Sequence, residues 1–154
     1  MITGINHASF TVSDLETAED FFVATLGMKK VGGGRYDFDY IKAVVGYPDA
    51  LLKIAFFAPR ESPAGVPLVE LIEYVTPKGA PADTETNRPG NAHLCLGVDD
   101  IEAEYERLKA KGVRFRSVPQ EVVFGLNKGA KAVYCDGPDH IKLELYQRAP
   151  GPSP

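Results

Sequence analysis

The sequence predicts an α+β fold in which two βαβββ modules of related sequence build a cupped, mostly antiparallel sheet. Three observations carry that prediction. The first is a repeat. The run His7-Ala8-Ser9-Phe10-Thr11-Val12-Ser13-Asp14-Leu15-Glu16 and the run His93-Leu94-Cys95-Leu96-Gly97-Val98-Asp99-Asp100-Ile101-Glu102 place His, Val, Asp, an aliphatic residue and Glu at the same offsets. The second is that each run leads into a helical pattern stopping at a glycine, Gly27 in one half and Gly112 in the other. The third is that each half closes on a strand with a central glutamate, Val69-Glu70-Leu71 and Leu143-Glu144-Leu145.

The elements follow in order. Residues 5–12 alternate in polarity and predict a strand. Ser13-Asp14-Leu15-Glu16 has the form of a capping box, so a helix is expected from there to Leu26, with Gly27 taking the left-handed exit. Strands are expected near 28–31, at 51–58 and at 68–75, while 36–48 suits either a short helix or a loop. The second half repeats the order: a strand at 92–98, then a helix over 101–111 capped by Asp99 with Glu102 three residues on. Strands near 113–116, 130–135 and 141–147 complete it. Residues 77–90, rich in Pro, Gly and Asn, read as the linker. The chain is therefore expected to be one domain over 1–148, with modules over about 1–76 and 91–148. The tail 149–154, with three prolines, is expected to be disordered.

Composition narrows the function. A chain of 154 residues can bury a core without covalent staples. The formal net charge is −4 and the cations are scattered, so the electrostatic footprint of a nucleic-acid binder is absent. No apolar stretch approaches membrane-spanning length and no leader pattern precedes the first strand; the reading is a cytoplasmic protein without a membrane partner. Cys95 and Cys135 lie in predicted strands and in no CxxC pairing, which suits two free, buried thiols in a reducing compartment.

Alternation places the chemistry. Ala8, Phe10 and Val12 share one strand face, as do Leu94, Leu96 and Val98, and these apolar faces must cover the helices. His7 and His93 then point to the opposite face, beside Ser9, Thr11, Cys95 and Gly97, whose small side chains leave room for a ligand. By the same logic Val69, Leu71, Leu143 and Leu145 pack on helices, and Glu70 and Glu144 join the histidines' face. A lone strand histidine is ordinarily a satisfied structural residue, and a lone strand glutamate an ordinary solvated one. The repetition of both argues otherwise. Two imidazoles and two carboxylates gathered on a sheet interior would be costly unpaired, and one divalent cation (Zn, Ni, Co, Mn or Fe) removes that cost. His140, in a turn without a counterpart, reads as a loop histidine.

The chain resembles the vicinal oxygen chelate superfamily, which includes glyoxalase I, methylmalonyl-CoA epimerase, extradiol dioxygenases and the bleomycin- and fosfomycin-resistance proteins. The resemblance covers residues 5–147. Its carriers are Ile5-Asn6-His7, Val69-Glu70-Leu71-Ile72-Glu73-Tyr74, Asn91-Ala92-His93-Leu94 and Asp136-Gly137-Pro138-Asp139-His140 ahead of Leu143-Glu144-Leu145. It implies paired βαβββ modules around one metal, ligand positions falling on His7, Glu70, His93 and Glu144, and a homodimer. A substrate bound through two adjacent oxygens would have its carbonyl polarised by the ion, and Glu70 and Glu144 are the natural catalytic bases. The expected activity is that of an isomerase or lyase, glyoxalase-I-like or acyl-CoA-epimerase-like, working through a metal-stabilised enediolate. Two rivals stand beside it. An Fe(II) extradiol dioxygenase would need only His7, His93 and Glu144. A non-catalytic drug-binding protein would use the cup without a metal, although the ligand quartet is whole and no Trp offers a stacking platform. Ile72, Tyr74 and Tyr146 share faces with the glutamates and are candidate pocket walls. Arg88, and Arg35 with Tyr36, are candidates to meet an anionic substrate group.

Overall fold

The computed structural model describes residues 1–151. The last three residues of the expected disordered tail, 152–154, lie outside them, and 149–151 have no regular structure. The chain divides into two compact units with the boundary between Ala82 and Asp83. Among the described residues no helix is long and apolar enough to cross a membrane.

The first unit contains β1 (His7–Thr11), α1 (Leu15–Asp20), β2 (Lys29–Tyr36), α2 (Asp39–Val45), β3 (Leu51–Ala58) and β4 (Leu68–Thr76). Its sheet has the order β1-β4-β3-β2; β1 runs parallel to β4, and the remaining pairs are antiparallel. The second unit contains β5 (His93–Gly97), α3 (Ile101–Ala110), β6 (Gln120–Glu121), β7 (Lys131–Asp136) and β8 (Lys142–Gln147). Its order, β5-β8-β7-β6, repeats the first, again with one parallel pair. The fold is thus the expected α+β fold: two four-stranded mixed sheets, each from a βαβββ module.

The cores follow the alternation. Leu71 and Phe57 of one sheet are fully buried with Phe22 and Ala18; Leu143 and Leu145 of the other are buried with Ile101 and Leu108. Such sites carry about 2–5 kcal/mol per leucine side chain. Gly27 and Gly112 hold φ of 77° and 85°, ending their helices as the spacing predicts.

Several boundaries differ from the expectation. The caps are Asp14 and Asp100 rather than Ser13 and Asp99: Asp14 Oδ1 accepts from the Thr17 amide at 2.7 Å, and Asp100 Oδ1 from the Ala103 amide at 3.0 Å. In each pair it is the second residue, an aspartate both times, that reaches the third helical amide. Replacing either with Ala should lower stability, read as a lower urea midpoint at constant slope. The first helix is α-helical only to Asp20 and continues as a π turn over Phe21–Thr25. The strand expected near 28–31 runs on through the glycines to Tyr36, with a register shift between Lys30 and Gly32. The ambiguous segment forms α2. No strand forms at 113–116: Phe115 makes a single bridge to Cys135, and Pro119, lacking an amide donor, interrupts the edge before the two-residue β6.

One device is common to both units and was not anticipated. The first amide of α1, Leu15 N, donates to Glu73 Oε2 at 3.0 Å, and that of α3, Ile101 N, to Gln147 Oε1 at 2.9 Å. Each acceptor stands three residues beyond the central glutamate of its closing strand. The strand carrying the glutamate is therefore fastened to the start of its helix.

Candidate metal centre

In the first unit the parallel register sets Ser9 against Glu70, and the antiparallel register sets Phe56 against it from the other side. Glu70 therefore shares its face with His7, and Oε2 lies 3.4 Å from His7 Nε2. The imidazole is turned by a neighbour: Nδ1 lies 2.8 Å from Asn6 Oδ1. Its ring meets Phe56 edge-on at 6.1 Å. The second unit repeats this. Cys95 and Tyr134 flank Glu144 in the register, and His93 Nε2 lies 2.9 Å from Glu144 Oε2. The His93 ring stands perpendicular to Tyr134 at 5.1 Å.

Each pair has one open and one shielded member. The imidazoles are 39% and 43% exposed, the carboxylates 11% and 16%. Ligands about 2.1 Å from an ion, at tetrahedral or octahedral angles, have donor atoms about 3.0–3.4 Å apart. The observed separations of 3.4 and 2.9 Å are direct imidazole–carboxylate contacts that lie close to that edge, so the donor types and spacing of each His/Glu pair are compatible with neighbouring ligands of a divalent ion. Among the described residues no three His, Cys, Asp or Glu side chains gather closely enough to hold one; each unit supplies one His/Glu pair.

The halves differ around these pairs. Tyr134 brings a hydroxyl within 3.5 Å of His93 Nε2 where the first unit has the apolar Phe56. Burial, reinforced by the Glu144 carboxylate, raises the Tyr134 pKa and keeps its proton on. Cys95 is surface-accessible, not buried as expected, while Cys135 is buried; both are free. Partial desolvation of the sulfur, then the Glu144 carboxylate, push the Cys95 thiol up to about 11, so it remains protonated beside the pair. Neither Phe56 nor Tyr134 was singled out from the sequence. The signal existed for Tyr134, since the short turn after Asp136 lets the β7–β8 register be counted back from Glu144.

The other candidates are distributed unevenly. Ile72 and Tyr74 lie on the Glu70 face but pack, with Tyr36, Ile41, Val45 and Phe56, on the cluster of Ala50, Leu52 and Ile54. Tyr74 also meets Tyr47 edge-on at 6.0 Å. Tyr146 lines a cleft of about 580 Å³ together with Cys95 and Glu144. Arg88 stays in the linker, where Nε donates to Asp83 Oδ2 at 2.8 Å. Arg35 is exposed on β2 opposite Lys53. His140 stands at a positive φ of 59° in the turn before β8, with Nδ1 3.4 Å from the Arg114 guanidinium. Arg114 and the buried Lys142 both bind Asp136, Lys142 Nζ at 2.7 Å.

Comparison with known proteins agrees with this architecture. The family model for the Glyoxalase/Bleomycin resistance protein/Dioxygenase superfamily matches residues 4–145. A 2-epi-5-epi-valiolone epimerase from Actinomyces sp. is 31% identical over 146 residues, spanning 92% of this chain and 77% of that protein. Among solved structures, a glyoxalase family protein from Bacillus cereus superposes with a TM-score of 0.80 at 24% identity, covering 97% of each chain. The fosfomycin resistance protein FosX from Listeria monocytogenes, solved with Mn(II) and a dihydroxypropylphosphonic acid, superposes at 0.59 with 20% identity. That match covers 95% of this chain and 90% of FosX.

Proposed function

Because the chain belongs to the Glyoxalase/Bleomycin resistance protein/Dioxygenase superfamily, we propose that it is a metal-dependent isomerase or lyase acting on a small molecule with two adjacent oxygens. In this reading the His7–Glu70 pair and the His93–Glu144 pair each supply two ligands to a divalent ion. The observation that carries it is the recurrence, in both units, of an imidazole and a shielded carboxylate at the spacing of neighbouring ligands. The similarity to an epimerase supports proton transfer at carbon rather than oxidation.

The ion, when bound, supplies a Lewis acid for the two substrate oxygens. The chain's own residues do the rest. Glu70 or Glu144, each held at the floor of its sheet face, takes the proton from the carbon beside the carbonyl. It then returns that proton to the neighbouring carbon or to the opposite face of the same one. Tyr134, protonated and adjacent to His93, can donate a hydrogen bond to a substrate oxygen. Asn6 fixes the His7 ring through Nδ1, leaving Nε2 directed at Glu70. The same reading includes a homodimer, which sedimentation would test.

The experiment is elemental analysis of untreated protein, followed by solvent-deuterium exchange into hemithioacetals, α-hydroxy ketones and acyl-CoA thioesters under anaerobic conditions. One equivalent of a divalent metal and exchange without net oxidation are expected. Turnover of catechols that requires oxygen would transfer the reading to ring cleavage. Protein without metal, binding its ligand unchanged, would transfer it to a binding protein.

A further inference from the structure

We propose that the cleft beside Glu144 is an anion subsite, in which Lys128 and Arg148 hold the carboxylate or phosphate of a small organic acid. The acid's adjacent oxygens then reach the His93–Glu144 pair; in that respect the inference rests on the function proposed above. The cleft, about 580 Å³, has Glu144 and Tyr146 at one side, Leu126 and Ala149 as apolar wall, and Lys128 and Arg148 as its cations. Its volume lies within the range of small-molecule sites.

The charges around it are unevenly committed. Arg107, Arg114, Arg116, Lys131 and Lys142 of the same unit each bind a carboxylate. Lys128 and Arg148 have no carboxylate partner among the described residues, and both line the cleft. Two unneutralised cations beside Glu144 define a ligand with an anionic end and, at the other end, oxygens that can coordinate a metal or accept a hydrogen bond.

The backbone that carries the cations is ordered. The turn bearing Lys128 is closed by backbone hydrogen bonds: Lys128 N to Gly125 O at 3.2 Å, Ala130 N to Asn127 O at 3.0 Å, Gly129 N to Val122 O at 2.8 Å and Val122 N to Ala130 O at 2.8 Å. A Cβ on Gly129 would lie 3.4 Å from Ala149 Cβ, so the turn rests against the residue following Arg148. The two cations thus flank a contact between the turn and the end of β8. A site whose charged groups stand on ordered backbone loses less freedom when it closes on a ligand.

The test uses three probes that share adjacent oxygens: dihydroxyacetone phosphate, glycerate and neutral dihydroxyacetone. Binding to the full-length protein, followed by amide chemical-shift titration, is expected to favour the two anions by about tenfold or more. Shifts should centre on residues 126–130 and 146–149, and the preference should shrink with added salt. The ratio of the two anions distinguishes phosphate from carboxylate. The double variant Lys128→Gln, Arg148→Gln should bind both anions no better than dihydroxyacetone, with an unchanged thermal midpoint. Equal affinity for charged and neutral probes, anion binding intact in the double variant, or shifts confined elsewhere would each overturn the subsite. Metal analysis of the same samples separates the two readings. Charge-dependent binding in metal-free protein sustains the subsite while the metal reading falls, and metal without charge preference removes the subsite alone.

Discussion

Protein carrying Glu144→Gln or His93→Ala is expected to leave purification without its divalent ion, while its circular dichroism and unfolding cooperativity stay those of the parent. The loss should be large. Even partners that merely orient metal ligands are worth about 10–100-fold in affinity, and under the proposed function these changes remove a ligand itself. A glutamine keeps the shape of Glu144 but not its charge, and an alanine at 93 removes the Nε2 that stands 2.9 Å from the carboxylate. The fold should survive because both side chains project away from the packed face, where Leu143 and Leu145 are 0% and 1% exposed. Equilibrium dialysis against zinc, with elemental analysis, measures it. A variant that still retains one equivalent at parental affinity would remove that residue from the site.

Asp136→Ala is expected to cost about 3–5 kcal/mol of folding stability, the usual consequence of stripping the partner from a buried ion. Lys142 is only 4% exposed, and its ammonium lies 2.7 Å from Asp136 Oδ1. Without the carboxylate it must be neutralised or hydrated inside the sheet. The pair also sets an acid limit. Burial alone would raise the Asp136 pKa, but the Lys142 ammonium and the Arg114 guanidinium outweigh it and hold the carboxyl below its ordinary 3.8. The folded protein therefore binds this proton less readily than the unfolded chain. The resulting stability is complete above the unfolded value and is lost as pH falls through the lower, folded one. Urea midpoints in acid should fall less steeply with pH for Asp136→Ala than for the parent. Parallel curves would show that the pair contributes nothing to acid sensitivity.

Much of this was readable in the sequence because the molecule states its plan twice. The repeated His-to-Glu interval fixed the strand–helix order, and period-two alternation assigned His7, Glu70, His93 and Glu144 to the face away from the helices. Failures fell where one residue decides between competing local bonds. Ser13 and Asp14, or Asp99 and Asp100, can each cap a helix, and only the reach to the third amide selects the second. The strand expected at 113–116 has the right alternation, with Phe115 packed on Tyr105 at 4.6 Å, yet Pro119 leaves it a single bridge. Ile72 and Tyr74 were correctly assigned to the Glu70 face. That α2 covers part of that face was invisible, because the segment forming it had no decided structure. The aromatic partners of the histidines depend on cross-strand register, which alternation alone does not supply.

The fastening of each closing strand to its helix bears on how faithfully the glutamates face outward. Sliding a strand by one position inverts every side chain on it, and would bury Glu70 or Glu144 among leucines. The same slip would draw Glu73 from the Leu15 amide, or Gln147 from that of Ile101, opening a helix end as it hides the central glutamate. Misalignment is thus penalised at two distant points at once. Each module carries its own alignment mark, a vernier read between strand and helix that admits the one setting in which the carboxylate is presented.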